Sequence, residues 1–562
     1  MKWKQWNKET GKEQGRIGLL LSILFCPCLF TLFTATNLQE GLGVKIGYLA
    51  FYIIILIVPL AFLKIRSYFL FEGVFVLLAP LEIIHLKLLG MPVTMTFIAS
   101  AMQTDWKECL ELLSSFKFET AITLLIWTIY FTQAFKIRNR YWGNKHFRIA
   151  SISGFVLLNL ILFAYMFKLT ASNDAFPLRV SIAYNNTIKK YTKIFPVNFI
   201  LASTDYLKDR VKIAQMNSQL QDFSFQTKSL SLPDEKEIYV LVIGESARSD
   251  HFALNGYSRE TTPHLSKINS LISFNDVYST ANYTVKAIPL LISRATPENF
   301  QTAFQEKALP EAFKECGFFT AWIANQSFND PYITRIAQNL DYSHFELVDF
   351  DSQNNYDEKL LPELDKVLTS GKNKLFIVIH TLGSHFRYNY RHPASFAKFQ
   401  PAIQGNLDYN EIGKDKKELF INSYDNSILY TDYILSEIIK RVQKQQCVSA
   451  VTYISDHAEN LYDDSLEKRM HGTSQPSKYE VHIPFIIWLS DTYNKQYPQV
   501  YEILSRHRSS SISSSNLFHT MIDIGNITYP NHHSKYSIAS LCFKEDSIRS
   551  VLKPDDTILH LH

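Results

Sequence analysis

Val448-Ser-Ala-Val-Thr-Tyr-Ile-Ser455, followed directly by Asp456-His457, is the stretch that indicates most about how this chain folds. Its run of β-branched and apolar residues predicts a strand buried on both faces of a sheet. An acid and an imidazole at the carboxyl end of such a strand lie where open α/β sheets bind their ligands. The stretch therefore predicts a sheet and, at the carboxyl ends of its strands, a ligand-binding site.

Two other apolar stretches end in polar residues of the same kinds. Ile238-Tyr-Val-Leu-Val-Ile-Gly244 precedes Glu245, and Leu375-Phe-Ile-Val-Ile379 precedes His380, with His385 five residues further on. Because the carboxyl ends of parallel strands meet at one edge, these side chains are expected to lie together. Carboxylates and imidazoles are ligands for zinc or manganese, so the three strands predict a metal site.

The large carboxyl-terminal part, residues 232–562, alternates strand-like and amphipathic stretches. This alternation predicts an α/β domain with a central, mostly parallel sheet flanked by helices. Residues 171–231 lack strong strand signals and are interpreted as a helical connector. The net charge of +4 is small for the length of the chain, and nothing in its distribution indicates nucleic-acid binding.

The amino-terminal part, residues 1–170, is predicted to be a transmembrane domain of five helices. Each apolar stretch is near the ~20 residues that cross a bilayer. The five stretches are Ile17–Thr34, Val44–Leu63, Tyr68–Leu89, Thr120–Phe135 and Ile149–Leu169.

Basic residues alternate between the segments that join these stretches. They occur in the amino-terminal tail, between the second and third stretches, and between the fourth and fifth. By the positive-inside rule those segments are cytoplasmic. Residues 91–117, and everything after about residue 170, are then expected outside the cytoplasm.

The six cysteines do not form a recognisable pattern. Cys316, Cys447 and Cys542 are scattered through the large domain, which predicts neither a disulfide framework nor a cysteine-based zinc site. Whether any of them pair is left open by the sequence.

Thr284 offers a hydroxyl between a strand-like segment and a predicted helix over Val285–Ser293. The amino terminus of a helix favours a phosphoryl oxyanion, and a metal would lower the pKa of the hydroxyl. From spacing alone, the simpler interpretation is that Thr284 is an N-cap.

The ordered motifs resemble those of the phosphoethanolamine transferases, which are membrane-anchored enzymes of the alkaline phosphatase–sulfatase superfamily. Gly244-Glu-Ser-Ala-Arg-Ser-Asp-His-Phe-Ala-Leu-Asn-Gly-Tyr257 is similar to their first signature, and Thr284-Val-Lys-Ala-Ile-Pro289 is similar to their nucleophile segment. The later motifs follow in the family's order: His380-Thr-Leu-Gly-Ser-His385, Tyr424–Asp432, Ser455-Asp-His457 and His471-Gly472. Asp432 and His380 are interpreted as structural.

This resemblance implies a role for each matching residue. Glu245, Thr284, Asp456 and His457 would hold one zinc ion, and Thr284 would take phosphoethanolamine as a covalent ester. The remaining two histidines of the motifs would bind the phosphoryl group or a second metal, and the sequence leaves that choice open. They are His385 and His471.

The segment Ser100-Ala-Met-Gln-Thr-Asp-Trp-Lys-Glu108 resembles the periplasmic helix by which the family approaches the lipid headgroup. Thr104 and Glu108 share one helix face, and Glu108 would pair with the ethanolamine ammonium. A solvated face of an interfacial helix explains the same spacing equally well.

The reaction that the resemblance implies is transfer of phosphoethanolamine from phosphatidylethanolamine to lipopolysaccharide, on a core sugar or lipid A, or to another envelope glycan. The enzyme would sit in the cell inner membrane with its catalytic domain in the periplasm. Thr280 and Leu290 replace a disulfide that flanks the nucleophile in the lipid A-modifying members, which favours branches that act on glycans.

Alternative functions would use the same ligands. These are a phosphoglycerol transferase and a phosphatase- or sulfatase-type hydrolase that acts on envelope glycans. A membrane scaffold without catalysis would not need all of Glu245, Thr284, Asp456 and His457, and the chain keeps all four.

The charge pattern gives a testable topology. A reporter active only in the periplasm should be active when fused after His562 and inactive when fused near Arg140. The reverse pattern of activities would refute the predicted orientation.

Overall fold

The computed structural model describes most of the chain in two compact units, Met1–Asp209 and Arg210–His562. The division proposed from the sequence, at residues 170 and 231, stays a prediction. The described residues are 2–34, 42–89, 92–95, 97–98, 102, 117–142, 145–170, 176–232, 234–326, 330–346, 355–405, 414–463, 468–473, 475–553 and 556–561.

The first unit is built of helices. They are α1 (Lys2–Thr34), α2 (Leu42–Ile57), α3 (Ile65–Leu89), α4 (Lys117–Phe135), α5 (Lys145–Lys168), α6 (Phe176–Tyr191) and α7 (Val197–Leu220), whose last residues belong to the second unit. Helices α6 and α7 fall in the predicted connector.

Each of the five predicted membrane spans falls on an apolar helix. Three helices are long and apolar enough to cross a membrane, over Gly11–Thr31, Ile65–Leu86 and Lys145–Lys168. Two more apolar helices, over Lys45–Ala61 and Thr120–Phe135, are shorter. The number of five spans therefore stays a prediction.

The second unit contains a central seven-stranded sheet. With strands numbered along the chain, its members are β2 (Glu237–Gly244), β3 (Leu271–Phe274), β5 (Phe319–Ala324), β6 (Tyr342–Phe345), β7 (Lys374–His380), β8 (Val448–Ser455) and β11 (Phe485–Leu489). Their order across the sheet is β3-β11-β8-β2-β7-β5-β6.

Shorter strands pair outside this sheet. They are β1 (Lys228–Ser229), β4 (Val277–Tyr278), β9 (Asn460–Leu461), β10 (Arg469–Met470), β12 (Ile512–Ser513), β13 (Ile527–Thr528), β14 (Arg549–Leu552) and β15 (Ile558–Leu561).

Over the residues that the structure describes, the second unit has ten α-helices. They are α8 (Thr284–Ile292), α9 (Thr302–Gln305), α10 (Leu309–Glu315), α11 (Pro331–Asn339), α12 (Leu360–Leu368), α13 (Lys417–Gln443), α14 (Lys478–Val481), α15 (Asp491–Gln496), α16 (Pro498–Arg506) and α17 (Asn516–Ile524).

The α/β class is confirmed, but the sheet is mixed. Strands β8, β2, β7, β5 and β6 pair in parallel, whereas β11 is antiparallel to both β8 and β3. The chain that follows β8 carries His457 and His471 and then re-enters the sheet, so β11 runs back without the crossover that a parallel pair requires. The sequence alone gave no indication of this reversal.

Alternating side chains of the central strands fill two separate cores. In β2, Tyr239, Leu241 and Ile243 pack on one face, whereas Ile238, Val240 and Val242 pack on the other. Burial on both faces explains why these strands are continuous apolar runs rather than alternating ones. Helices α12 and α13 cover the second face, and α8, α10 and α17 cover the first.

Three neighbouring strands bring their polar ends into register. Gly244 at the end of β2 pairs with Ser455 at the end of β8, and Ile243 pairs with His380 at the end of β7. The residues that follow these ends, Glu245 and Asp456, therefore begin at the same level of the sheet. This alignment confirms the shared edge that the sequence predicted.

Candidate active site

Glu245, Asp456 and His457 meet at this edge of the sheet in a site closed to solvent. Their exposed fractions are 1%, 0% and 0%. The Nε2 atom of His457 lies 3.2 Å from Glu245 Oε1 and 3.5 Å from Asp456 Oδ2. Two carboxylates and an imidazole thus face one another across a few ångströms.

Thr284 is the first residue of α8, and it does not cap the helix. The N-cap is Tyr283, which makes no side-chain capping bond. The Oγ1 atom of Thr284 instead lies 3.1 Å from Glu245 Oε2 and 3.2 Å from His457 Nε2. The N-cap interpretation is therefore wrong, because the hydroxyl points into the acidic cluster.

The cluster has the composition and spacing of a metal site. Ligand atoms of Glu245, His457 and His471 all lie within 4.8 Å of one another. Asp456 Oδ2 is buried and has no hydrogen-bond partner among the described residues. A buried carboxylate oxygen without a donor needs a cation or a proton, and imidazole with carboxylate suits zinc. The residues fit the group that the sequence predicted.

The electrostatics of the protein alone point the same way. Burial raises the pKa of Asp456 to about 7, and the neighbouring charge of Glu245 adds to the effect. Burial lowers the pKa of His457, but the carboxylates of Asp456 and Glu245 outweigh burial and raise it to about 10. Burial also opposes the charge of Glu245, yet the His457 imidazolium holds its pKa well below the usual range. The site therefore retains positive charge next to its carboxylates.

Hydrogen bonds orient the two imidazoles. His457 Nδ1 donates to the carbonyl of Ala458 at 3.0 Å, which leaves Nε2 facing the cluster. His471 Nδ1 lies 3.0 Å from the buried Glu459 carboxylate, and its ring centre is 4.0 Å from that of His457. Such partners fix the tautomer of a metal-binding histidine.

Sequence reasoning missed Glu459. Its position two residues after His457, in a segment already assigned to the site, was the signal that could have revealed it.

His385 lies on the turn after β7, near the cluster. Its ring centre is 6.4 Å from that of His471. Burial lowers the pKa of His385 to about 3 despite the attraction of Glu245. The structure thus brings His385 towards the site, whereas His380 ends β7 with its ring against Trp322.

A tight turn after β7 supports Glu245. The buried Asp357 carboxylate accepts hydrogen bonds from the amides of Leu382 and Gly383 at 2.8 and 3.0 Å. Gly383 has φ +52°, and a Cβ added there would lie 2.9 Å from the backbone nitrogen and oxygen of Glu245. Asp357 was not predicted, because its contacts cross the sheet and leave no local pattern.

Helix α13 supports the signature that follows Glu245. Tyr424 Oη accepts a hydrogen bond from the Arg248 amide at 2.8 Å and donates one to the Ser246 carbonyl at 2.7 Å. The Asp432 carboxylate accepts hydrogen bonds from the backbone amides of His264 and Leu265, both at 2.8 Å. These contacts agree with a structural role for Asp432.

Some sequence-predicted features have no side-chain geometry to compare. Thr104 and Glu108 lie outside the described residues, as does most of the loop over residues 91–117.

At the positions of the missing disulfide, Thr280 Oγ1 is 3.0 Å from Ser514 Oγ and Leu290 is buried in the core. The described cysteines, Cys26, Cys28, Cys316, Cys447 and Cys542, carry free thiols.

Comparison with known proteins finds relatives over most of the chain. A sequence profile of the family described as Sulfatase matches residues 237–527. Phosphoethanolamine transferase EptC of Escherichia coli K12 is 27% identical over 440 residues, which cover 76% of this chain and 72% of the relative. The Kdo(2)-lipid A phosphoethanolamine 7''-transferase of the same strain is 31% identical over 316 residues, or 53% and 52% of the two chains. The resemblance to phosphoethanolamine transferases is thereby confirmed.

Solved structures share the fold. The C-terminal periplasmic domain of Escherichia coli EptC, in complex with Zn, superposes with a TM-score of 0.52 at 27% identity, covering 58% of this chain and 91% of that one. The integral membrane lipooligosaccharide phosphoethanolamine transferase A (EptA) from Neisseria meningitidis covers 92% of this chain and 97% of its own, with a TM-score of 0.50 at 18% identity.

The contact between Gly383 and Glu245 can be tested by substitution. Gly383→Ala should displace the backbone of Glu245 and weaken zinc binding, because the added Cβ meets backbone rather than a flexible side chain. Left-handed strain alone costs about 1–3 kcal/mol. Gly371→Ala is the matched control, since Gly371 also has positive φ but an added Cβ meets nothing within 4 Å. Equal zinc affinity of the two variants, measured by competition with a chelator, would contradict the proposed support.

Proposed function

The chain belongs to the sulfatase family, and we propose that it is a zinc-dependent phosphoethanolamine transferase that modifies lipopolysaccharide in the cell envelope. The observation that carries the proposal is the position of Thr284 Oγ1, within 3.1 and 3.2 Å of Glu245 and His457 in a buried cluster. A hydrolase that used only water would have no need of a hydroxyl at this point.

We assign the metal to the four residues at the centre of the cluster. Glu245, Asp456 and His457 would hold one zinc ion together with Thr284, and the zinc would stabilise the alkoxide form of the hydroxyl. The 4.8 Å cluster of Glu245, His457 and His471 supports placing His471 beside this ion. A second metal would use His471 and His385.

The first half of the reaction loads the enzyme. Thr284 Oγ attacks the phosphorus of phosphatidylethanolamine and forms a new O–P bond. The proton of the Thr284 hydroxyl passes to a nearby base, and the bond from phosphorus to the diacylglycerol oxygen breaks. The same base then gives that proton to the diacylglycerol oxygen, and diacylglycerol leaves. Glu245, Asp456 and His457 are closed to solvent, whereas Thr284 is half-buried, so the reacting hydroxyl lies at the boundary between the buried cluster and solvent.

The second half transfers the group. A hydroxyl or phosphate oxygen of the acceptor attacks phospho-Thr284, the Thr284 O–P bond breaks, and the acceptor's proton is taken by a nearby base. His385 and His471 are the candidates for moving protons and for holding the phosphoryl oxygens, because both lie beside the cluster and neither belongs to the inner four residues.

The amino-terminal membrane-spanning domain would supply the phosphatidylethanolamine donor. We propose five spans in the inner membrane, a periplasmic catalytic domain over residues 232–562, a connector over residues 171–231 and a periplasmic loop over residues 91–117. Thr104 and Glu108 would contact the lipid headgroup from that loop. The three long and two shorter apolar helices support this topology.

The covalent step is directly measurable. After incubation of the full chain with phosphatidylethanolamine and no acceptor, mass spectrometry should find phosphoethanolamine on the peptide that contains Thr284. Thr284→Ala should abolish the label and reduce transfer on the order of 10³-fold or more, since it removes the nucleophile. Thr284→Ser, the matched control, should keep part of both because it keeps a hydroxyl.

Two results would contradict the assignment. A label on a different residue would assign the nucleophile to that residue. Normal transfer by Thr284→Ala would show that transfer does not pass through phospho-Thr284, and free phosphoethanolamine as the main product would instead favour a hydrolase. Defined lipids separate the donors: labelling from phosphatidylglycerol but not from phosphatidylethanolamine would favour a phosphoglycerol transferase.

A further inference from the structure

A polar groove lies beside the nucleophile helix in the second unit. Its volume is about 700 Å³. Its lining includes residues 278 and 280, just before α8, and residues 294–299, just after it. Thr280 is four residues from Thr284, so the groove begins within roughly 14 Å of the nucleophile even if the chain between them is fully extended.

The lining combines an aromatic face with groups that donate and accept hydrogen bonds. Tyr536 is 39% exposed, and its ring centre lies 5.3 Å from that of His519 and 4.7 Å from Lys535 Nζ, so the remaining exposed part of the ring is what a ligand could contact. Thr296 and Asn299 are exposed and also line the groove. A flat aromatic ring beside hydroxyls and amides suits a sugar, which offers an apolar ring face and a rim of hydroxyls.

The charge of the groove limits which sugars it accepts. Arg294 is held by Glu306 through two hydrogen bonds of 2.7 Å, so its charge is already paired. Glu298, Glu545 and Asp546 also line the groove and add negative charge. Phosphate or carboxylate groups would be repelled there, which favours neutral sugars.

Part of the groove is built by residues beyond the range that the Sulfatase profile matches. The Sulfatase match ends at residue 527, whereas Tyr536, Asp546 and Ser550 lie beyond it. The hairpin of β14 and β15 is tied to the segment before the nucleophile, because the Leu552 amide donates to the Thr280 carbonyl at 2.8 Å. The groove is thus joined by this hairpin to the segment that leads to the nucleophile.

We propose that this groove binds neutral sugar units of the acceptor glycan, at a distance from the position that receives phosphoethanolamine. The inference rests on the proposed transferase function and adds the site that selects the acceptor. Contacts to remote sugars would favour long acceptors over truncated ones, because binding energy gained away from the reacting atoms still promotes transfer.

The two halves of the reaction allow a clean test in the full chain. In Tyr536→Ala, labelling of Thr284 from phosphatidylethanolamine should be unchanged, because no acceptor takes part in it. Transfer to a lipopolysaccharide with a complete core should fall roughly tenfold in kcat/KM, the size expected for loss of one good aromatic contact. Transfer to a lipopolysaccharide truncated to its innermost sugars should be unchanged.

A second variant guards against misfolding. Asn299→Ala changes an exposed side chain of the groove and should give the same pattern, with a smaller loss of transfer to the complete core. Asn269 is also exposed but lies outside the groove, so Asn269→Ala should leave transfer to both acceptors unchanged. Equal losses on both acceptors, or no loss on the complete core in either groove variant, would overturn the inference. Failure of the wild-type chain to label Thr284 would refute the proposed function, and the inference with it.

Discussion

The burial of two carboxylates beside one another is the constraint on which the rest of the second unit depends. Glu245 and Asp456 are fully buried, and Asp456 Oδ2 has no hydrogen-bond partner among the described residues. Such a pair is unfavourable unless a positive charge joins it. Without a metal, the charged imidazole of His457 serves that purpose, with its pKa raised to about 10 against the opposing effect of burial. A divalent ion would balance the charge of the two carboxylates better than the imidazolium does. It would also leave the Nε2 atom of His457 free to bind the ion.

The fold places these groups by backbone register rather than by flexible loops. Parallel pairing of β2 with β8 fixes Glu245 beside Asp456, and the pairing of β2 with β7 brings the turn of Gly383 against the Glu245 backbone. Buried polar groups then hold the neighbouring side chains and backbone in position. Glu459 orients His471, and Tyr424 holds the backbone on either side of Ala247. The nucleophile enters from the first turn of α8, so one sheet edge and one helix define the chemistry.

The sequence predicted those parts of the site that local patterns encode. The strand over Val448–Ser455 was predicted with its bounds, and Glu245, Asp456 and His457 follow strand ends as expected. The role of Thr284 needed the family resemblance, because spacing alone favoured an N-cap. Glu459 was missed although it lies two residues after His457. The antiparallel β11, the carboxylate of Asp357 and the sugar groove could not be predicted, since each depends on contacts between distant segments.

Anomalous X-ray diffraction from crystals of the full chain, measured on both sides of the zinc absorption edge, tests most directly whether the buried carboxylates are a zinc site. The expected result is one strong anomalous peak within bonding distance of Glu245, Asp456, His457 and Thr284, with any second peak between His385 and His471. A zinc-loaded crystal with no peak among the first four residues would contradict the metal-activated threonine, and the charge of the carboxylates would then be balanced by protons alone.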